Sequence, residues 1–369
     1  ALDEHASGGP LTPDHVIRTK RDPLVLRRTD AVSVHAAIAA YRVRYDAYYE
    51  AHGGQGFTKL DSTPRVVLVV GVGLYGVGRN PKEAAIAADI YESTARTKTS
   101  ARVLGPYVGL ADSDLFGMEY WSLEQKKLGR RKPPKLERQV ALITGAGGAI
   151  GFGIAKVLLA EGACLVLTDV DVDRLNRVGA LLDGGERVLC APADVTDAAS
   201  LRVAFDAAAS RFGGVDMVIP NAGVAHVAPI EAIDPGDMTV AIDVNIRGTW
   251  HTLSEAARLL RLQGTGGHVV VVSSKNVMAP GASFGAYSAT KAGAHQLAKV
   301  AALELAADGV SVNLVAPDAV FSEGGVASGL WERVGPDRAR SKGLDDSELP
   351  EHYRKRNLLG ATITGEHVG

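Results

Sequence analysis

The feature that most constrains this chain is an apolar run that breaks into glycine and then turns helical. Val140-Ala-Leu-Ile143 leads into Thr144-Gly-Ala-Gly-Gly-Ala-Ile-Gly151, and a helical pattern continues to about Glu161. Glycine lets a backbone come close to a ligand, and the free N–H groups at a helix start suit a pyrophosphate. Thr144, Gly145, Gly147, Ile150 and Gly151 are therefore candidate contacts. Asp169 follows the next apolar run, eighteen residues past Gly151. A carboxylate there can accept both ribose hydroxyls of an adenosine and repels a 2′-phosphate. Its neighbours Thr168 and Val170 carry no positive charge, which favours NAD over NADP. A surface aspartate capping the next helix is the alternative. Asp194-Val195, after a third run, can reach an adenine edge or simply make a turn.

From Val140 onward, short apolar runs alternate with helical patterns. Strands are expected at Val140 to Ile143, Cys164 to Leu167, Val188 to Ala191, Met217 to Ile219, His268 to Val272 and Val310 to Val315. Helices are expected from about Ala198, over about Val240 to Leu262, and over about Ala286 to Ala307. Apolar runs without polar alternation belong to a parallel sheet covered on both faces. The β-α-β-α order makes this an α/β, doubly wound fold.

The preceding block is less legible. Val66 to Val70 is a strand candidate, while Ala36 to Tyr49 and Pro81 to Lys98 have helical patterns. Gly71 to Gly78 reads as a plain tight turn, because no G-x-G-x-x-G register opens a helix with an acidic residue about 20 positions on. Gly129 to Arg138 is basic, carries Pro133-Pro134 and lacks apolar periodicity, so it reads as a linker.

Composition excludes several function classes. The chain is 46% hydrophobic and 22% charged, which suits a packed core. Its 40 basic and 42 acidic residues leave a net charge of -2, with no electrostatic footprint for nucleic acid or anionic membrane. No apolar run approaches the length of a membrane-spanning helix. The start, ALDEHASGGP, has neither a basic n-region nor an apolar h-region, so a cytoplasmic protein is expected. It also lacks an initiator Met, and an upstream portion is expected. Cys164 and Cys190 read as buried free thiols. No H-x-H, H-E-x-x-H or C-x-x-C occurs, and no metal site is expected.

The chemistry centres on Tyr287 and Lys291, four residues apart and so on one helix face, with Ser274 thirteen residues before the tyrosine. A free phenol titrates near pH ~10, and bringing it towards neutrality takes roughly 4 kcal/mol. A fixed ammonium and a cationic nicotinamide ring can supply that. Y-x-x-x-K alone is a weak pattern; downstream of a nucleotide-binding turn it is a strong one. Together with Asn221-Ala222-Gly223 after the fourth strand and Asn245 in the long helix, these residues resemble the short-chain dehydrogenase/reductase family over roughly Leu136 to Gly369. The resemblance implies a Rossmann fold, NAD as cofactor, a small-molecule substrate and a homo-oligomer. It implies that Tyr287 is the general acid/base and that Ser274 polarises the substrate carbonyl. Lys291 would hold the nicotinamide ribose and depress the phenol pKa. Asn245 would hold a water in a relay to Lys291. Asn221, Ala222, Gly223 and Pro317 would line the cofactor. Two residues depart from the family pattern. Ala149 replaces a glycine of the turn, with Gly147 and Gly148 expected to compensate. Asp318 follows Pro317 where many members have glycine, near the nicotinamide carboxamide in the family geometry.

Ser274-Lys-Asn276, Ala316 to Phe321, Gly329-Leu-Trp331 and His352 to Leu359 resemble a subgroup, the bifunctional rhamnulose-1-phosphate aldolase/lactaldehyde (alcohol) dehydrogenases. Gly9 to Lys20 and Glu119 to Lys126 resemble the tail of that subgroup's class II aldolase/adducin domain. The expected organisation is a partial aldolase-like α/β domain at 1–128, a linker at 129–138 and an NAD-binding domain at 139–369. The aldolase metal pair H-x-H would lie upstream, and Val72-Gly73 stands where a third histidine often precedes glycine, so no aldolase activity is expected of this chain. The family normally adds a further helix and a seventh strand after the segment ending at Gly369. The chain is expected to be less stable than its parent and prone to association. Phe321 to Asn357 is expected to form a substrate lid, with Trp331, Tyr353, Arg354 and Arg356 facing substrate, or the arginines on a solvated helix face. A dehydrogenase of a small hydroxy or oxo compound, lactaldehyde by resemblance, is the leading expectation. A sugar or polyol dehydrogenase and a non-catalytic nucleotide-binding or scaffold protein are the others.

Overall fold

The structure, a computed structural model, describes residues 6–53, 56–123 and 133–369. The chain divides into two compact units, Ala1–Pro133 and Pro134–Gly369. Residues 124–132 lie outside the described residues, which takes in the end of the aldolase-like stretch and the start of the expected linker.

In the first unit, β1 (Leu24–Leu26) pairs in parallel with β2 (Val66–Val69), and β2 pairs antiparallel with β3 (Gly73–Gly76). Gly71 to Gly78 is therefore a turn plus a returning strand rather than a turn alone. The Val72 N–H donates to the Val69 carbonyl and closes the hairpin. Gly76 is needed for packing: a Cβ there would sit 1.9 Å from the Ala84 carbonyl oxygen of helix α2 (Pro81–Ala101). The tyrosine-rich pattern is helix α1 (Ala31–His52), whose Tyr41, Tyr45 and Tyr49 recur every four residues on the buried face. The Tyr45 hydroxyl donates to Glu119 at the end of α3 (Asp112–Glu119). Val72 sits in the hairpin turn and Gly73 opens β3.

The second unit is built on a six-stranded sheet. Its strands are β4 (Val140–Thr144), β5 (Cys164–Thr168), β6 (Val188–Cys190), β7 (Met217–Ile219), β8 (Gly267–Val272) and β9 (Val310–Val315). Their order is β6-β5-β4-β7-β8-β9, and all pair in parallel. The six apolar runs thus fold as expected. Alternate side chains explain why these runs are apolar throughout. Val140, Leu142, Cys164 and Val166 pack on one face with α6 (Ala198–Phe212), α8 (Gly248–Gln263) and α9 (Gly285–Leu305). Ala141, Ile143, Leu165 and Leu167 pack on the other with α4 (Ala149–Ala160) and α5 (Val172–Leu182). Both cysteines are free, and burial pushes both thiols up, away from the reactive thiolate.

Two elements differ from their sequence reading. The long helix expected at Val240 to Leu262 is three pieces: α7 (Pro235–Ala241), a π-helical segment Ile242–Arg247, and α8. The lid, expected as a loop, is largely helical. A two-residue hairpin pairs Ser322–Glu323 with Val326–Ala327, followed by α10 (Gly329–Arg340) and α11 (Leu349–Arg356). The last helix, α12 (Gly365–Val368), packs on α4. Among the described residues no helix is long and apolar enough to cross a membrane.

The chain leaves β4 for β5 and β6 on one side, then returns to β7, β8 and β9 on the other. This reversal opens a crevice between β4 and β7 at their C-terminal ends, where ligands of open α/β sheets bind.

Candidate active site

A cleft of about 470 Å³ lies at these strand ends. One half is built by the glycine turn. Gly145 has φ +64°, and a Cβ on it would stand 2.7 Å from the Ala222 Cα, so only glycine fits between β4 and the loop after β7. A Cβ on Gly151 would stand 2.6 Å from the Gly145 carbonyl oxygen. Helix α4 has no side-chain cap at Gly148, so its first N–H groups, with Ala149, Ile150 and Gly151, open onto the cleft. Ala149 is itself accommodated in the cleft wall.

Asp169, at the end of β5, is held by two backbone donors. Gly147 N–H donates to Oδ2 at 2.9 Å and Asp171 N–H to Oδ1 at 3.0 Å. Asp194 lines the cleft beside Val195, and its Oδ1 accepts from the backbone and hydroxyl of Thr196. Asn221, Ala222, Gly223 and Pro317 also line it. These residues fit a dinucleotide: an uncapped helix start for phosphates, and a fixed carboxylate one strand away for a ribose.

Three expected site residues stand behind the cleft wall. Thr144 is buried, and its hydroxyl accepts from the Asn221 and Ala222 N–H groups, tying β4 to the loop after β7. Gly147 spends its N–H on Asp169. Asn245, fully buried in the π-helical segment, exchanges hydrogen bonds with the Val224 backbone and donates to the Thr290 hydroxyl at 2.9 Å. Its side chain thus fastens α9 to the loop after β7. Its main-chain carbonyl accepts from the Thr249 hydroxyl.

The other half of the cleft holds the tyrosine and lysine of α9. Of the two adjacent serines, Ser273 bonds His295 at 3.1 Å, while Ser274 accepts from the Asn276 N–H at 3.2 Å and lines the cleft with Tyr287. Burial holds the Tyr287 phenol above its ordinary pKa, with the nearby Ser274 hydroxyl opposing. Lys291 is also buried, which brings its ammonium down to about 8. Its Nζ donates to the Val272 carbonyl at 3.0 Å and lies beside Gly223.

The lid forms the third wall. Trp331 and Tyr353 line the cleft; of the two arginines, Arg356 lines it as well, while Arg354 turns away to Glu351 and the Gly360 carbonyl. The sequence reading missed Arg338, although it lies seven residues after Trp331 and hence on the same face of α10. It also missed the pairing of Lys275 with Asp318, at 2.8 Å in the cleft wall. Arg174 lines the cleft near Asp169, five residues away in sequence, and pairs with Asp171 and the lid residue Glu332.

Comparison with known proteins agrees with this geometry. Residues 139–332 match the family model of the short chain dehydrogenases, and residues 1–128 match that of the class II aldolase second domain. The chain is 31% identical to the oxidoreductase YuxG of Bacillus subtilis (strain 168), over 98% of this chain and 54% of that protein. It thus spans about half the length of that relative. It is 30% identical to galactitol 2-dehydrogenase of Agrobacterium fabrum, over 63% of this chain and 88% of that enzyme. Among solved structures, the 3-ketoacyl-(acyl-carrier-protein) reductase of Brucella melitensis complexed with NADH superposes with a TM-score of 0.55. That match has 26% identity and covers 63% of this chain and 88% of the reductase. The chain belongs to the short chain dehydrogenase family, preceded by a segment of class II aldolase type.

Proposed function

We propose that the cleft binds NAD and moves a hydride between it and a small hydroxy or oxo compound. The observation that carries this reading is that Tyr287, Ser274 and buried Lys291 line one cleft with the uncapped start of α4. Gly148, Ile150 and Gly151 would hold the pyrophosphate, and Asp169 the adenosine ribose. When bound, NAD supplies the hydride acceptor or donor. Tyr287 exchanges a proton with the substrate oxygen, and Ser274 donates a hydrogen bond to that oxygen. Lys291 keeps two N–H donors beyond the one spent on Val272, enough for a ribose hydroxyl and for a field at the phenol. Asn245 acts by positioning, and a relay water would sit at its carbonyl. NAD is favoured over NADP because Asp169 is locked in place and Arg174 is engaged by Asp171 and Glu332.

The resemblance to the aldolase/lactaldehyde dehydrogenases favours lactaldehyde as substrate. The similarity to galactitol 2-dehydrogenase favours a second reading, a polyol. Exposed Trp250, Leu262 and Leu303 on α8 and α9 support a homo-oligomer. The segment at 1–128 is read as part of an aldolase-type domain without aldolase activity of its own.

The test is NADH formation by the purified protein with lactaldehyde and a polyol panel, for NAD and NADP, beside Tyr287→Phe. Turnover with NAD that falls by about 10³-fold or more in the variant is expected. Equal turnover in the variant would remove the tyrosine mechanism, and faster NADP reduction would remove the Asp169 argument.

A further inference from the structure

Arg338 is a buried cation, 3% exposed, in the wall of the cleft. Its Nε donates to the Tyr353 hydroxyl at 3.2 Å and its Nη1 to the Ala282 carbonyl at 3.0 Å. Its guanidinium carbon stands 4.9 Å over the Phe284 ring. All these partners are neutral. Nearby carboxylates are engaged elsewhere: Asp337 with Arg340, Glu351 with Arg354, Glu332 with Arg174 and Asp318 with Lys275. Among the described residues none lies within ion-pair distance of Arg338. A buried guanidinium without an anion is costly, and three of its five N–H donors remain for one. The remaining end of its fork, Nη2, lies against Gly281, which also lines the cleft. Arg356 adds a second positive charge at the cleft wall, its guanidinium 5.4 Å over the Tyr353 ring. Phe284 touches both Arg338 and Tyr287, the latter with ring centroids 6.0 Å apart. A substrate reacting at Tyr287 can therefore reach Arg338 with a group a few bonds away.

We propose that Arg338 is the specificity residue for an anionic group, a carboxylate or a phosphate ester, on the hydroxy or oxo substrate. This rests on the dehydrogenase reading but narrows it to substrates bearing an acid, with a neutral aldehyde or polyol as the poorer ligand. A planar guanidinium fork suits either oxyanion.

The test uses two matched pairs: 3-hydroxybutanoate against 1,3-butanediol, and glycerol 3-phosphate against glycerol. Binding is read by calorimetry on the Tyr287→Phe protein, with and without saturating NAD, so that turnover does not intervene. At least one acid is expected to bind about 10- to 100-fold tighter than its neutral partner. The pair that shows the preference identifies carboxylate or phosphate. Adding Arg338→Met should abolish the preference. Adding Arg338→Lys, which keeps the charge and loses the fork, should reduce it several-fold, and it decides the question alone if the Met variant no longer folds. Equal binding within both pairs, no binding by either acid, or a preference unchanged in the variants would overturn the proposal. Turnover of the same panel by the protein carrying Tyr287 is measured separately. Its absence would count against the dehydrogenase reading and leave the binding comparison decisive for Arg338.

Discussion

Lys291 shows the conflict between stability and chemistry at the scale of one residue. Its ammonium is 5% exposed and donates to the Val272 carbonyl. Burial lowers its pKa from 10.5 to about 8. The unfolded chain binds the proton more tightly than the folded one, so the charged lysine opposes folding. That shift corresponds to about 3 kcal/mol below pH 8, and the penalty is relieved as the pH rises from about 8 to 10.5. Lys291→Met keeps the apolar stem and removes the charge, at the cost of the Val272 bond. The variant is expected to be more stable than the wild type at pH 7 by about 1–3 kcal/mol. Its advantage should shrink towards pH 10, and its turnover should be lost. Denaturant titrations of both proteins at the two pH values check this; a variant less stable at pH 7 would contradict it. Tyr287 belongs to the same argument, because burial raises it as well, so both groups hold their neutral forms more readily than in water.

At the scale of elements, α12 and α4 meet through two glycines. A Cβ on Gly153 would lie 2.1 Å from the Gly365 carbonyl carbon, and one on Gly365 would lie 2.2 Å from the Ala149 carbonyl oxygen. Gly153→Ala gains about 1 kcal/mol in helix propensity. It also meets backbone that cannot rotate away, and overpacking of this kind costs about 1–3 kcal/mol. The clash is expected to win and to unseat α12, which would also break the bond from the Glu366 N–H to Glu323. A lower urea midpoint with an unchanged slope is the expected result, and a higher midpoint would show that propensity dominates. The same scale explains what could be read from the sequence. The six strands were legible because a parallel strand buried on both faces is a plain apolar run. Tyr287, Lys291 and Ser274 were legible because four- and thirteen-residue spacings survive any detail of packing. Thr144 and Gly147 stand behind the cleft wall, since spacing cannot tell a residue that faces a ligand from one that holds the residue behind it. The π-helical segment has no periodic signature, since it departs from the helix for only six residues. The lid read as loop because α10 carries an internal Pro336 and a mostly polar surface. Only its Trp331 and Arg338, two turns apart, marked a face.

Across the whole molecule, the two units differ in how they are held together. The second unit buries two extended apolar clusters on either side of one sheet, and the cleft is lined by its residues alone. The first unit has three small clusters, such as Leu24, Leu26, Tyr41 and Tyr45, beside buried Lys20, Lys98 and Glu119. Burial brings Lys20 down to about 8 and raises Glu119, so this unit carries charges that weaken its folded state. Calorimetry of the 369-residue chain is therefore expected to show two transitions, the first unit melting at the lower temperature. NADH should move only the upper one, since a ligand stabilises the unit that holds its site. At a concentration 100 times its dissociation constant it adds about 2.7 kcal/mol there. Residues 134–369 prepared alone should show the upper transition with the same response. A single transition that shifts as a whole with NADH would mean that the aldolase-type unit and the dehydrogenase unit fold as one.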